Sequence, residues 1–375
     1  MREETIMKKQ SIIVFSCILI AVLLLAGCNG GDGNTVREAK KVDKRPIITI
    51  GVPAPLTGDA AMMGTGFRDA IELAAEQANA KNTKYRYKVV FEDDQLDNAK
   101  TVSAFQKMLT ADKINAVITF SSGSSHAVVP IAEENKIPLI AIASDPEIVN
   151  GKKYAFLHWV TPEAEAKIFA ETVKKYGYKK IAIFSTNQQG VLAMHDELVN
   201  LLGDTMFPVD EVFDPDVKDF RTAILKAEKA KVDAYMLNFL PGQLIIAAKQ
   251  VRELGVDKPL TAIEAFEYEE DPYGVLEGQW FVTGDEPAND FAQALQAEYN
   301  HAPTIGAANG YDAFNLLVAA FEKAGKNNPD GVVAELLKLQ NFDGALGELA
   351  VDADHRVQSN AVVKVMRNKK PVKVE

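Results

Sequence analysis

The chain has 375 residues, 47% apolar and 25% charged, which are the proportions of an ordinary globular protein long enough for two lobes. A formal charge of −11 argues against nucleic acid as a partner, because phosphates demand a basic face. Only Cys17 and Cys28 are present, too few for a disulfide-stapled scaffold.

Lys8 and Lys9 precede an apolar run from Ile12 to Ala26 that closes on Leu25-Ala26-Gly27-Cys28. A basic start, a short apolar stretch and a small-residue end predict an export signal over Met1 to Gly27. The Leu-Ala-Gly-Cys ending resembles the bacterial lipobox, which implies that Cys28 becomes a lipid-carrying N-terminus. An uncleaved anchor is the other reading, although the run is short for a membrane span. Glu3 and Glu4 do not suit a basic leader, so Met1 and Met7 both stand as starts. Residues 28–45 are rich in Gly, Asp and Lys and predict a flexible tether.

Strand and helix patterns then alternate. Ile47 to Val52 predicts a strand, and Phe67, Ala70, Ile71, Ala74, Ala75 and Ala78 share one helix face. Tyr87 to Phe91 predicts a strand and Val102, Phe105, Met108 and Leu109 a helix. Ile114 to Phe120 predicts another strand, followed by Ser121-Ser122-Gly123-Ser124-Ser125 and the helical pattern Ala127, Val128, Ile131, Ala132. Ile137 to Ala143 closes this unit and ends in Ser144-Asp145-Pro146-Glu147. Trp159-Val160-Thr161-Pro162 breaks the rhythm. Pro162 suits the first turn of a helix that ends at Gly177. Strands at Ile181 to Phe184, Ala234 to Leu237 and Leu260 to Ile263 then alternate with helices at Val191 to Leu202, Phe220 to Ala230 and Gln243 to Leu254. Asn289 to Tyr299 and Ala307 to Ala324 predict helices, and Gly347 to Val351 and Ala361 to Met366 late strands. One grammar used twice predicts an α/β protein of two similar lobes, each a parallel-sheet βα layer.

Ligands of α/β sheets bind beyond the carboxyl ends of the strands. A helix opening at Gly123-Ser124-Ser125 offers free N–H groups and a positive dipole end to an anion. Ser121 and Ser144 add hydroxyls without filling the space. These features describe a seat for a small carboxylate, and serve equally as ordinary caps and turns.

The Ser121-to-Ser144 spacing, Ala143-Ser144 and Asp145-Pro146-Glu147 resemble the Leu/Ile/Val-binding branch of type I periplasmic solute-binding proteins. Ile48-Thr49-Ile50-Gly51-Val52 with Pro55-Leu56-Thr57-Gly58, Phe91-Glu92-Asp93-Asp94, Asp219-Phe220-Arg221, Arg252-Glu253-Leu254-Gly255 and Gly310-Tyr311-Asp312-Ala313 follow in the family's order. The resemblance runs from Ile47 to the C-terminus. It implies three hinge crossovers, near Trp159–Pro162, Val282–Glu286 and Gly344–Leu349. Lobe 1 would then hold 46–160 and 285–346, and lobe 2 161–284 and 347–375. It also implies a ligand site of Ser121, Ser122, Gly123, Ala143 and Ser144, facing Glu264 as partner for an α-ammonium and Phe239 as a covering ring. Phe239 lacks the hydroxyl that relatives often carry there. Gln189 stands near a place where relatives often have Tyr, and Met63 where some have Trp.

Chemistry other than binding has little support. Gly123-Ser124-Ser125-His126 lacks the second Gly of a nucleophile elbow, Ala127 standing there. Five scattered histidines form no metal-ligand pair, and no metal or cofactor is expected. The reading is a non-enzymatic, monomeric, lipid-anchored extracytoplasmic receptor. It would deliver a neutral, aliphatic amino acid to ABC permease and ATPase subunits in the bacterial cell membrane. A ligand-sensing domain, or a binder of an amide, urea or small carboxylate, is the alternative.

Overall fold

The computed structural model describes residues 43–374 apart from 59 and 82. Every helix and strand among the described residues lies in one compact unit, Arg45–Glu375. The expected export signal, Cys28 and nearly all of the tether lie outside the described residues. Among those described, no helix is long and apolar enough to cross a membrane.

The first sheet is formed by β1 (Ile47–Ala54), β2 (Arg86–Asp93), β3 (Ala116–Phe120), β4 (Leu139–Ile142) and β5 (Ala155–Leu157), all parallel, in the order β2-β1-β3-β4-β5. Helices α1 (Ala61–Ala80), α2 (Asn98–Lys107) and α3 (Ser122–Asn135) connect the first four strands. Both faces are covered, which is why these strands read as unbroken apolar runs. Ile48, Ile50 and Val52 point into one core with Phe67 and Ile71 of α1. Val117, Leu139 and Ala141 point into the other with Phe105 of α2 and Val128 and Val129 of α3.

After Trp159 the chain enters a second sheet through α4 (Pro162–Tyr176). Thr161 caps this helix at the Ala164 N–H and Gly177 ends it in the left-handed conformation. Strands β6 (Ile181–Thr186), β7 (Val209–Phe213), β8 (Ala234–Asn238), β9 (Leu260–Ile263) and β10 (Trp280–Gly284) follow, with α5 (Gln189–Leu202), α6 (Arg221–Ala230) and α7 (Gln243–Glu253) between them. Their order, β7-β6-β8-β9-β10, repeats the order of the first sheet. Ile181 and Ile183 face one core and Ala182 and Phe184 the other, as a strand's period of two requires. The chain then returns to the first lobe as α8 (Asn289–Tyr299), α9 (Ala307–Ala324) and α10 (Pro329–Leu336). Phe291 and Leu295 of α8 pack with Ala70 and Leu73 of α1, and Phe314 and Phe321 of α9 fill the first core.

The last change of lobe comes later than expected at Gly344–Leu349. The predicted strand at Gly347 is half of a small hairpin, β11 (Phe342–Gly344) with β12 (Gly347–Leu349). Leu349, Val351 and Val357 are buried in the first core, and Arg356 bridges Leu157 of β5. Asp312 fixes the hairpin turn by accepting the N–H groups of Ala345 at 2.6 Å and Leu346 at 3.0 Å. Residues 347–357 therefore belong with the first lobe, because their apolar side chains have no other core. The crossing falls after Val357. Beyond it, β13 (Ala361–Arg367) and β14 (Lys370–Lys373) add antiparallel strands beside β10. The short strands β5, β7, β10 and β14 and the helix α10 carried no expectation.

Gly310 is where α9 presses on α1: a methyl group there would overlap the Phe67 ring. Gly310→Ala is expected to lower the unfolding free energy by about 1–3 kcal/mol through overpacking. Urea unfolding followed by far-ultraviolet circular dichroism tests this, and an unchanged midpoint would show that the contact is not tight.

Candidate ligand-binding site

The carboxyl ends of both sheets face one cleft. Its cavity of about 410 Å³ is lined by Met63, Leu96, Phe120, Ser121, Ser122, Ile142, Ala143, Ser144, Trp159 and Ile305 on one side. Gln188, Gly190, Val191, Met194, Asn238, Phe239, Leu240, Ile263 and Glu264 line the other. Of the expected residues, Ser121, Ser122, Ala143, Ser144, Met63, Phe239 and Glu264 thus share one wall-to-wall cavity. Gly123 and Gln189 stand beside it and face each other: a methyl group at Gly123 would lie 3.3 Å from Gln189 Oε1. The neighbouring Gln188 lines the cavity instead, while its side chain caps α5 at the Val191 N–H. Trp159, Asn238 and Gln188 carried no expectation. Trp159 stands in a crossover, where a large aromatic beside a break in the strand–helix rhythm was the available signal.

Ser121 holds a backbone conformation that L-residues rarely adopt, φ 83° and ψ 153°. Its N–H bonds Ile142 O at 2.9 Å, and its carbonyl accepts from Ser125 Oγ at 2.6 Å. These bonds pin β3 to the start of α3. The first N–H groups of a helix have no intrahelical acceptor, so Ser122 and Gly123 present theirs at the strand end. Below them, buried Asp94 accepts from Thr101 Oγ1 at 2.9 Å, Ser124 Oγ at 3.4 Å and Leu96 N at 3.0 Å. Burial pushes its carboxyl up. Asp93 accepts from Leu56 N and Thr57 N. Both aspartates are thereby occupied in loop architecture. Ser124 faces Asp94, whereas His126 bonds Asp145 at 2.7 Å, so the two do not form a nucleophile–base pair.

Across the cleft, α5 begins at Gln189. Gly190 meets the first lobe so closely that a methyl group there would lie 2.5 Å from Ser144 Oγ and 3.0 Å from Ser122 Oγ. Two positive helix ends, those of α3 and α5, therefore converge on the serines. Phe239 is 3% exposed and packs against Phe213 and Phe220, so most of its ring is core and one edge borders the cavity.

Glu264 follows β9 with φ 65° and ψ −54°, a strained γ-turn geometry. Trp159 Nε1 donates to Glu264 Oε1. Burial pushes the Glu264 carboxyl up to about 8, opposed by the Trp159 bond and helped by the charge of Glu267. A second cavity of about 370 Å³ lies behind Trp159 and Glu264, lined by all three crossovers through Val160, Gly284, Asp285, Ser359 and Asn360. There Lys364, 2% exposed, bonds Glu267 at 2.8 Å, and Thr283 Oγ1 donates to Glu267 at 2.9 Å. Among the described residues no group of His, Cys, Asp and Glu is arranged to hold a metal ion.

Two similar α/β lobes joined by three strands of chain, with an apolar cavity and a few convergent polar groups between them, define a hinged solute receptor. The chain belongs to the periplasmic binding protein family, whose model matches residues 47–370. It is 26% identical over 322 residues to Leu/Ile/Val-binding protein homolog 2 of Brucella abortus, covering 82% of this chain and 86% of that one. The branched-chain amino acid binding protein LivJ of Streptococcus pneumoniae, in complex with isoleucine, superposes with a TM-score of 0.75 at 25% identity. That match covers 88% of this chain and 100% of LivJ. A solute-binding protein from R. palustris in complex with benzoate superposes with a TM-score of 0.77 at 20% identity, covering 88% of this chain and 95% of that one. The family is one of extracytoplasmic solute binders, as the resemblance implied.

Gly190 permits the two lobes to meet. Gly190→Ala is expected to hold the cleft ajar, because its Cβ meets the Ser144 hydroxyl where a hydrogen bond cannot form. Ligand affinity should fall at least about tenfold, the scale of a 1.4 kcal/mol loss. Thermal stability without ligand should stay near that of the wild type, since Ala suits a helix. Small-angle scattering with ligand should show less compaction. Equal compaction in both proteins would remove this role.

Proposed function

We propose that this receptor binds a neutral amino acid with an apolar side chain and presents it to an ABC permease and its ATPase. One observation carries the reading: a shielded carboxyl, Glu264, stands on one wall of an apolar cavity whose other wall is Ser121, Ser144 and the α3 N-terminus. The serines and helix N–H groups suit an α-carboxylate, and Glu264 suits an α-ammonium. Met63, Phe120, Ile142, Val191, Met194 and Ile263 suit an aliphatic side chain, with methionines able to adapt to its shape. A zwitterion spanning both walls favours the closed state, and that difference in affinity shifts the lobes together.

The sign of the pH dependence follows from Glu264. With its carboxyl near 8 it is protonated at neutral pH in the empty cleft. An ammonium ion favours the ionised form, so binding releases a proton and strengthens as pH rises. Affinity for leucine should grow about tenfold per unit between pH 6 and 8, then level. Glu264→Gln should cost leucine about 2–5 kcal/mol and its deaminated analogue far less. Calorimetric titration of both ligands checks this. A wild type that binds plain carboxylates and ignores every amino acid sinks the assignment.

That result would favour the second reading, an aromatic or aliphatic carboxylate. Phe239 lacks a ring hydroxyl and Glu264 is uncharged at neutral pH, both compatible with a ligand that brings no ammonium. The benzoate-bound relative uses the same fold, and benzoate belongs in the same titration series.

Attachment to the membrane is proposed through Cys28. One acyl chain anchors only marginally, so at least two are expected. Cys28→Ser should move the protein into the soluble fraction or block processing of the leader. Unchanged fractionation and processing would exclude this anchor.

A further inference from the structure

The cleft chemistry uses Glu264 and leaves a second acid behind it unexplained. Glu165 lies in the first turn of α4 and is 0% exposed. Acids favour the first turn of a helix for the dipole, which accounts for exposed Glu163 but not for a carboxyl removed from water. No N–H or O–H of the described residues reaches either Glu165 oxygen. The charges that act on it are those of Glu264 and Glu267, both negative. The groups around this cluster come from several elements. Glu264, Glu267 and Tyr268 follow β9, Trp159 lies in the first crossover, Thr283 is on β10 with Glu286 just after it, and Lys364 is on β13. Lys364 is the one base in this group. It is engaged by Glu267 at 2.8 Å, with Glu286 at 4.0 Å.

We infer that Glu165 is a positioning residue for the ammonium anchor: it carries a proton, donates it in a hydrogen bond to Glu264, and limits the site to one negative charge. This rests on the reading of Glu264 as that anchor. Two adjacent carboxyls away from water cannot both ionise, because each charge is desolvated and each repels the other. The hydrogen bonds decide which acid keeps the proton. Glu264 already accepts from Trp159 Nε1, whereas Glu165 has no donor at all. A proton on Glu165 supplies the missing donor and satisfies both acids. Burial, reinforced by the Glu264 charge, pushes the Glu165 carboxyl well above the ordinary range. When an ammonium arrives, Glu264 gives up its proton and Glu165 keeps its own. The anchor then matches a single positive charge.

The test uses Glu165→Leu and Glu165→Gln beside the wild type, with leucine as the ligand, titrated from pH 6 to 9. Glu165→Leu removes the donor to Glu264. It should weaken leucine about tenfold or more at pH 7 and move the rise in affinity to higher pH. Glu165→Gln keeps a neutral donor and should recover most of that loss. A second measurement needs no ligand: the infrared carboxyl band of the empty protein at pH 9, above the Glu264 value. The wild type should show a protonated-carboxyl band there that Glu165→Gln removes. Equal weakening in both variants, or no difference in the band, overturns the assignment. A wild type that ignores leucine but keeps the band would remove the amino-acid reading while leaving the proton on Glu165.

Discussion

Beside the cleft, the buried groups at the end of β9 do not balance in charge. Lys364 satisfies Glu267, and nothing basic among the neighbours described satisfies Glu264 or Glu165. In a dry pocket such an excess is held by protons or by a cation from outside. Among the described residues that line the cleft there is no Lys, Arg or His. One wall of the cleft therefore offers a buried carboxyl, and the other offers helix N–H groups and hydroxyls.

Both halves of the site are held at a cost in backbone strain. Ser121 and Glu264 each occupy conformations that L-residues avoid, and each such residue costs on the order of 1–3 kcal/mol. Ser121 is held there by bonds to Ile142 and Ser125. Glu264 is held by its N–H bond to Val282 O at 2.7 Å and by Trp159. The strain turns each side chain from the strand line into the cleft. Neither strand could do this with ordinary extended geometry, because the next side chain would point into a core.

The repeated strand order gives the lobes matching carboxyl edges, and the crossovers join them at the back of the cleft. Gly190 lies at the closest approach of the two edges, where a Cβ would meet Ser144 and Ser122. Phe239 shows how the site borrows rigidity from the core: its ring is fixed by Phe213 and Phe220 and only its edge is available to a ligand.

Periodicity and caps made most elements legible. Pro162 and Gly177 marked the bounds of α4, and the pattern from Ala307 to Ala324 matched α9 residue for residue. Short strands such as Ala155–Leu157 were not legible, because three residues carry no period. Glu264 could be read as a strand-end acid facing the cleft, since the apolar run stops at Ile263. Which residues near Gln189 line the cavity depended on the rotation of α5, and Gln188 took the place. The last crossing was misplaced because Leu349, Val351 and Val357 fit either core by hydrophobicity alone. Local sequence by itself determined the βα units and the residue types at their carboxyl ends, since propensity and period act over a few residues. Only the tertiary structure decided that Glu165 lies buried within reach of the Glu264 charge and that Gly190 meets Ser144, because burial and proximity are properties of distant segments packed together.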